Sequence, residues 1–347
     1  MKNLPIVSFI IVARNASQHL PRIFSDILAQ DYPVDRLELL LIDGRSTDDT
    51  RTIMEDFGKA HKEFNVKVLD NPGKILSCGW NVGLAEAKGD IILRVDAHSS
   101  IPPNFISRNV EAILSGESIV GGATISKIHK NIWPGLLSMA EGSKFGSGIA
   151  DFRNPGPPRY VDTLAYAAYK RSVFEKVGGY HERLVRSQDN EIHYRMKKAA
   201  FKFFFDPAIK SFHTPRSTLY GILKQKYNDG FWVGLIMGIQ PRCFGVRHFV
   251  PSLFVGALVI VFVLGIVWNW FPFIFLTVSY GICAIVFTIE ALLKAPLKIK
   301  PLCLFLPFIF LLMHTSYGVG TFSGFIKMPM FVWRNRSYTV PNPVNQA

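Results

Sequence analysis

Two aspartates stand directly after apolar runs of the chain, at places where parallel sheets bind ligands. Asp43 follows the run at 37–42, and Asp96 ends the run at 90–95. The carboxyl ends of parallel strands lie at one edge of a sheet, so both side chains are expected in one crevice. Carboxylates there suit a metal-bridged diphosphate, or accept hydrogen bonds from a base and a ribose. The sequence supports neither a dinucleotide-binding G-x-G-x-x-G segment after the first run nor a P-loop.

The elements that must position these aspartates alternate between strands and helices. A continuous apolar run predicts a strand at 6–13, and largely apolar runs predict strands at 37–42, 66–69 and 90–95, and later at 203–206 and 209–212. Helices are predicted at 20–28, after the N-cap candidates Ser46 and Thr47, and at 77–88. Strands buried on both faces and separated by helices predict an α/β fold over residues 1–215, with a mostly parallel sheet and helices on both faces.

Charge and hydrophobicity are segregated along the chain. The formal net charge is +13, yet Glu290 is the only acidic residue after residue 248. This segregation excludes a uniform soluble globule, a disordered protein and a fibrous repeat. The four cysteines have no metal-like spacing and are too few for a disulfide-rich fold.

The C-terminal third has the composition of a membrane domain. Residues 249–289 carry no charge, and residues 301–326 are interrupted only by His314. A crossing needs about 20 helical residues, so three hydrophobic segments are predicted at 249–269, 272–293 and 301–323. They belong to a predicted membrane domain over residues 249–347 that ends in a short tail. Residues 216–248, which mix lysines with aromatic residues, are predicted to form an amphipathic interfacial linker.

Basic residues near these segments predict their orientation. Arg242 and Arg247 precede the first segment, and three lysines separate the second from the third. The positive-inside rule places both groups in the cytoplasm, and the catalytic domain with them. The run at 5–13 lacks the features of a secretory signal. The tail is outside if the third segment crosses fully and inside if that segment is re-entrant.

Four segments in this order and spacing resemble the family 2 glycosyltransferases of the GT-A fold, over residues 5–215. They are FIIVARN at 9–15, LLLIDGRSTDDT at 39–50, NPGKILSCGWNVGLAEAKGDIILRVDAH at 71–98 and SQDNEIHYRMKKAAF at 187–201. The DAH triplet, HTPRSTL at 213–219 and the membrane tail look most like the branch of the ExoA-type succinoglycan-biosynthesis glycosyltransferases.

The resemblance implies a set of residues that bind a UDP-sugar donor. They are Ala13, Asn15, Asp43, Lys74 and Asp96. Asp43 would accept from the N3–H group of uracil, a donor that other bases lack at that place. A turn-forming aspartate before Gly44 is the structural alternative, and a solvated surface lysine is the alternative for Lys74.

The triplet Asp96-Ala97-His98 stands where the family usually has Asp-x-Asp. Alternation places Asp96 and His98 on one face of an extended segment. The resemblance implies that Asp96 contacts the ribose or a metal, and that His98 takes the metal-ligand place of the second Asp. His213, just after the strand predicted at 209–212, is the candidate for a remote third ligand. Oxygen and imidazole ligands together suit Mn²⁺, whereas an oxygen-only set favours Mg²⁺. A lone histidine is otherwise more often structural.

Asp189 is the candidate general base. The family commonly has Glu-Asp here, and this chain has Gln188-Asp189, with Glu191 as the reserve candidate. Asp189 is predicted at the start of a helix capped by Ser187, where the helix dipole favours a carboxylate. The structural alternative is a carboxylate that offsets this dipole and pairs with His193 at i+4.

Together these features predict an inverting, metal-dependent glycosyltransferase in a bacterial inner (plasma) membrane, multi-pass, with its catalytic domain in the cytoplasm. It would move a sugar from a UDP-sugar to a lipid-linked saccharide acceptor in exopolysaccharide or cell-surface glycan assembly, with other polysaccharide-assembly proteins as further partners. One alternative is direct transfer to a lipid or polyprenyl phosphate. Another is an inactive nucleotide-sugar sensor or assembly subunit, for which Gln188 and the DAH triplet leave room. The membrane segments argue against nucleic acid as a partner, despite the basic pI.

Overall fold

A computed structural model describes residues 4–147, 150–154 and 156–345, and these form two compact units. The first, here called the sheet domain, includes described residues of 4–125, 151–213 and 339–345. The second, called the helical unit, includes those of 126–150 and 214–338. Of the predicted domains, residues 1–3, 148, 149, 155, 346 and 347 lie outside the described residues.

The sheet domain is built on a mixed sheet. Its strands are β1 (Val7–Ala13), β2 (Leu37–Asp43), β3 (Asn65–Asp70), β4 (Ile91–Arg94), β5 (Ile119–Ser126), β6 (Arg159–Val161), β7 (Ala168–Lys170) and β8 (Phe203–His213). Their order across the sheet is β3-β2-β1-β4-β7-β5-β8-β6. The first four are parallel, β7 is antiparallel to both β4 and β5, and β6 is antiparallel to β8. The predicted α/β class is confirmed, with the parallel part confined to one half of the sheet.

Helices cover both faces of this sheet. They are α1 (Leu20–Leu28), α2 (Thr50–Ala60), α3 (Leu76–Glu86), α4 (Phe105–Leu114), α6 (Arg171–Val177) and α7 (Gln188–Lys198). Between α4 and α6 in the chain, α5 (Ile132–Gly142) belongs to the helical unit. In β1, Phe9 and Ile11 belong to a core with α1, α2 and α4, while Ile10 and Val12 belong to a core with α3, α6 and α7. Burial on both faces explains why these strands are continuous apolar runs.

The helical unit contains α8 (Leu219–Ile236), α9 (Val250–Val267), α10 (Phe271–Lys294) and α11 (Leu306–Asn335). Three stretches are long and apolar enough to cross a membrane: Val250–Val267, Phe271–Lys294 and Lys300–Asn335. The third extends beyond the predicted end at 323. Its small residues Gly320 and Gly324 let the helix lie directly against α8, so the segment 216–248 contributes a helix packed on α11 rather than a separate linker.

Two further boundaries differ from the predicted domains. Residues 126–147, predicted in the catalytic domain, fold with the helical unit, because Leu136 and Leu137 of α5 pack in a core with Leu306 and Phe310. Residues 339–345, predicted in the membrane tail, fold with the sheet domain. The amide of Gly179 donates to the carbonyl of Pro341 at 2.8 Å. Periodicity could not predict either boundary, since each depends on contacts distant in sequence.

Candidate active site

Strand register brings the predicted donor-binding residues to one edge of the sheet. Ala13 at the end of β1 is level with Asp43 at the end of β2 and with Asp70 at the end of β3. The Asp43 carboxylate is buried, and both of its oxygens accept from the backbone N–H of Ser46 at 3.2 Å. This is the turn contact that the structural alternative foresaw. A carboxylate has about four lone-pair sites, so acceptor capacity remains for a ligand.

Asn15 joins the loops that follow β1 and β2. Its backbone adopts a left-handed conformation, its N–H donates to the Ser46 hydroxyl at 2.9 Å, and its side-chain oxygen accepts from the N–H of Thr47 at 2.8 Å. Ser46 and Thr47 therefore serve this loop junction, and the prediction that they cap α2 is wrong, because α2 begins only at Thr50. The carbonyl of Ala13 accepts from the N–H of Gly44 at 2.8 Å, which closes the same edge.

Lys74 lies on an exposed turn before α3. Its backbone is left-handed, and its N–H donates to the carbonyl of Asn71 at 3.1 Å. The N–H of Asn71 in turn donates to the carbonyl of Asp43 at 2.8 Å. Through Asn71 the backbone ties the Lys74 turn to the buried aspartate, and the lysine side chain stays in solvent.

The three predicted metal ligands lie in neighbouring segments. The Asp96 Oδ2 and His98 Nε2 atoms are 4.0 Å apart. Ser100 and Phe212 form an isolated antiparallel bridge with hydrogen bonds of 3.0 and 2.8 Å, which brings the end of β8 to the loop after β4. The rings of His98 and His213 are consequently 5.6 Å apart between centroids. Among the described residues no three His, Cys, Asp or Glu side chains are grouped tightly enough to hold a metal.

Two residues around this cluster were missed by the sequence analysis. The Tyr166 hydroxyl makes a long hydrogen bond of 3.4 Å to Asp96 Oδ2 and accepts from the Ser99 hydroxyl at 2.6 Å. Burial, followed by the Asp96 charge, raises the pKa of Tyr166, so its phenol remains a donor. His19, just before α1, places its ring 6.4 Å from that of His98.

The candidate base Asp189 forms an ion pair with a buried arginine. Its Oδ1 is 2.6 Å from the guanidinium of Arg94, the last residue of β4. Arg94 lies over the rings of Trp80 and Tyr180, at 5.2 and 5.4 Å from their centroids. Burial disfavours the charge of the guanidinium, yet Asp189 and Tyr180 together hold the pKa of Arg94 well above its usual value. The candidate base is therefore paired with the end of the strand that leads to Asp96.

The two alternatives considered for this helix have other partners. The ring nitrogens of His193 face the hydroxyls of Thr163 and Tyr169 at 2.8 and 3.1 Å, and not the Asp189 carboxylate. Burial lowers the pKa of His193 to about 3, so the ring is neutral. Both carboxylate oxygens of Glu191, the reserve base, accept from the Arg195 guanidinium, from Nε at 2.7 Å and from Nη2 at 2.9 Å. The expected pairing of Asp189 with His193 is wrong.

The turn before α7 is held from α3. Within the described part of the chain, the hydroxyl of Ser187 caps none of the helix amides, so the predicted side-chain cap is wrong. The side chain of Asn81 instead makes hydrogen bonds of 2.7 and 2.9 Å with the N–H and carbonyl of Tyr180. The Ser77 hydroxyl donates to the carbonyl of Leu184 at 2.9 Å. These contacts fix the approach of the chain to Asp189.

A mixed sheet of this topology with helices on both faces has the GT-A fold. A mannosyltransferase of Pyrobaculum calidifontis, solved with GDP-Man and Mn²⁺, shares the fold with a TM-score of 0.58 and 15% identity, over 93% of this chain and 88% of that one. Residues 8–178 match the family model Glycosyl transferase family 2. The chain belongs to family 2 and is a glycosyltransferase.

Relatives extend the similarity beyond the sheet domain. A dolichyl N-acetyl-α-D-glucosaminyl phosphate 3-β-D-2,3-diacetamido-2,3-dideoxy-β-D-glucuronosyltransferase of Methanococcus voltae is 26% identical, over 92% of this chain and 97% of its own length. The succinoglycan biosynthesis protein ExoA of Rhizobium meliloti is 27% identical over 64% of this chain and 67% of its own. An undecaprenyl-phosphate 4-deoxy-4-formamido-L-arabinose transferase of Aeromonas hydrophila is 30% identical, over 38% of this chain and 40% of its own length.

Proposed function

We propose that this glycosyltransferase moves a sugar from a UDP-sugar, with inversion, onto a polyprenyl-linked saccharide at the cytoplasmic face of a membrane. The observation that carries the proposal is the Arg94–Asp189 ion pair at 2.6 Å. Arg94 ends β4, and Asp96 follows two residues later, where the chain enters a turn in which the N–H of Ser99 donates to the carbonyl of Asp96. The pair therefore ties a candidate base to the segment that would face the leaving diphosphate.

Asp189 would take the proton of the acceptor hydroxyl as that oxygen attacks the anomeric carbon. The bond from this carbon to the diphosphate oxygen breaks on the opposite face, which inverts the configuration. Only one carboxylate is needed, because the diphosphate leaves as a stabilised anion without protonation by the protein. Arg94 holds Asp189 in place, and general base catalysis of this kind contributes about 10²–10⁴-fold.

A divalent cation fits the donor pair formed by Asp96 and His98. Mg²⁺ lies about 2.0–2.1 Å from its ligands, so the 4.0 Å between these two atoms is within the span of one such ion. His213 is the neighbouring imidazole, and the diphosphate would supply the remaining oxygens. The cation, Mn²⁺ by its mixed ligands or otherwise Mg²⁺, would neutralise charge on the leaving group.

The donor's base would lie against the edge formed by β1, β2 and β3. Asp43 has free acceptor capacity for the N3–H of uracil, and the Asn15 loop junction and the carbonyl of Ala13 shape the walls around it. Lys74, exposed on the turn before α3, would offset phosphate charge.

The acceptor is inferred from the relatives and from the apolar helices. The Methanococcus relative aligns over nearly the whole chain, and its name specifies a dolichyl-linked sugar phosphate. The name of ExoA supports a role in exopolysaccharide biosynthesis. Other assembly proteins would then act with this enzyme in a cytoplasmic (inner) membrane. The Aeromonas relative's name favours the second candidate, direct transfer to polyprenyl phosphate, over a shorter alignment.

The proposal predicts metal-dependent transfer of label into lipid. Membranes that contain the protein are incubated with labelled UDP- and GDP-sugars and extracted lipid acceptors. We expect label in the lipid phase from a UDP-sugar, its loss with a chelator, and its return with Mn²⁺. His98→Ala, which removes one of two close donors, should raise the Mn²⁺ concentration needed for half-maximal rate by about 10–100-fold.

His61→Ala is the matched control, because His61 pairs with Glu63 on the surface. It should leave the Mn²⁺ requirement unchanged. Label on polyprenyl phosphate alone would favour the second candidate. Transfer only from GDP-sugars, or full activity with chelator present, would contradict the UDP-sugar and metal parts of the proposal.

A further inference from the structure

The chain leaves the sheet domain at residue 213 and returns to it at residue 339. The return is a packed contact, since Val344 lies in the core that includes Trp80 and Tyr180, and the side chain of Asn342 donates to the carbonyl of Glu175 at 3.1 Å. A folded polar domain stays on one side of a bilayer. The segment 214–338 must therefore cross an even number of times, so its three apolar stretches cannot all be crossings.

Helix α11 runs parallel to α8, which is not among the three apolar stretches. The Ser316 hydroxyl donates to the carbonyl of Leu223 at 2.8 Å. A Cβ at Gly320 would clash with the carbonyl oxygen of Tyr227, and one at Gly324 with that of Phe231. The contacts advance in the same direction along both helices. If α8, α9, α10 and α11 all crossed, the number of crossings would be even, but the first and the fourth helix would be antiparallel. Because α8 and α11 are parallel, this arrangement is excluded.

The hairpin of α9 and α10 meets α11 only near its base in these contacts. A Cβ at Gly318 would clash with Val255 and with the carbonyl of Pro251, in the first turns of α9. The Tyr280 hydroxyl of α10 bonds to His314 at 2.9 Å, and its ring stacks on that of Phe254 with 4.5 Å between centroids, so this part of α10 is level with the first turns of α9. The distal part of the hairpin is bare, with exposed side chains that include Val259, Ile260, Val263, Ile266, Phe271, Ile274 and Phe275. That is the arrangement of a lipid-embedded hairpin with α11 across its base.

The basic residues agree with this assignment. Arg242 and Arg247 precede α9, and Lys294, Lys298 and Lys300 end or follow α10, whereas the turn at 268–270 carries no charge. Lys327, Arg334 and Arg336 lie at the end of α11. If α11 crossed, these last three would be on the far side, against the positive-inside rule. If α10 failed to cross, the three lysines after it would be there instead.

One face of α11 is apolar and exposed at helical spacing. It consists of Val319, Phe322, Ile326, Met330 and Trp333, which are 40–81% exposed. Lys327 and Arg334 flank this stripe on the helix surface. An apolar stripe bordered by basic side chains fits a surface of anionic lipid, with the stripe at the acyl boundary and the charges at the headgroups.

We propose that only α9 and α10 cross the membrane, while the α8–α11 pair lies on the lipid surface at the side where the chain leaves the sheet domain. The bilayer surface is thus the partner of the α11 stripe. The inference depends on the proposed membrane location and not on the reaction. It assigns the tail to the cytoplasm.

Labelling of single cysteines from each side of the membrane tests this topology. Cys78, Cys243, Cys283 and Cys303 are replaced by alanine, and one cysteine is introduced as Asn269→Cys, Lys298→Cys or Ser337→Cys, all at exposed positions. Intact spheroplasts and inverted vesicles are treated with a membrane-impermeant maleimide. We expect Asn269→Cys to be labelled only in spheroplasts, and the other two only in inverted vesicles.

Labelling of Ser337→Cys from the same side as Asn269→Cys would overturn the inference, as would labelling of all three from one side. A reporter fused after residue 347 of the natural chain gives a second measurement that does not need the cysteine-free background. A fluorescent protein should be bright there and alkaline phosphatase inactive, and the reverse would overturn the inference. Neither measurement uses transferase activity. The topology can therefore be contradicted while the proposed reaction holds, and the reaction can be contradicted while the topology holds.

Discussion

Asp189→Asn should lower the transfer rate by about 10²–10⁴-fold, the range that a general base contributes. The amide keeps the size of the carboxylate and can stay beside the Arg94 guanidinium, but it cannot take the proton of the acceptor hydroxyl. Binding of the donor should be unchanged, because the substitution leaves the edge at Asp43 and the Asp96–His98 pair intact. The measurement is single-turnover transfer of label, with UDP binding to the same preparation measured in parallel.

Asp162→Asn is the matched control, because it also replaces a carboxylate that takes part in an ion pair with α7. Asp162 is exposed and pairs at 3.2 Å with Lys197, which is part of α7 like Asp189. Surface pairs of this kind contribute about 0–1 kcal/mol, so this variant should keep its activity. An Asp189→Asn enzyme that transfers sugar at the natural rate would refute the assignment of the base.

Arg94→Met should reduce kcat about 10²-fold, since a misplacement of about 1 Å at a reacting group has an effect of this size. The variant removes the guanidinium that fixes Asp189 and leaves KM for the donor unchanged. Arg94→Lys should recover part of kcat, because lysine restores the charge but not the planar group that lies over Trp80 and Tyr180. Steady-state kinetics of the three proteins make the comparison.

Arg94 also packs in the core of the sheet domain, so thermal unfolding must be measured on the same variants. Arg108→Met is the control, because Arg108 forms an exposed pair with Glu111 and should change neither kcat nor the melting temperature. If Arg94→Met raised KM for the donor while kcat stayed constant, Arg94 would be a donor ligand. The positioning role would then be wrong.

The parts of the fold that depend on local pattern were predictable from the sequence. The runs that became β1, β2 and β4 are mostly apolar because helices cover both faces of the sheet. Asp43 and Asp96 were found because each follows such a run, and parallel strands end at one edge. The helix at Asp189 was predicted from the family resemblance and from Ser187 as its cap, and the helix is present although Ser187 does not cap it.

The parts that depend on distant contacts were not predictable. Arg94 is charged in a buried run, which is a signal that it needs a partner, yet nothing in the sequence names Asp189, 95 positions later, as that partner. The same holds for Tyr166 and Asp96, which are 70 positions apart. Ser46 and Thr47 had the residue types of helix caps, but the side chain and backbone of Asn15 compete for them.

The central claim, a single displacement assisted by one carboxylate, is tested most directly by the configuration of the new bond. The lipid product from the active UDP-sugar is isolated, and the coupling constant of its anomeric proton is measured by NMR. An α-linked donor should give a β-linked product. A product that keeps the α configuration would require a different mechanism and would contradict the role proposed for Asp189.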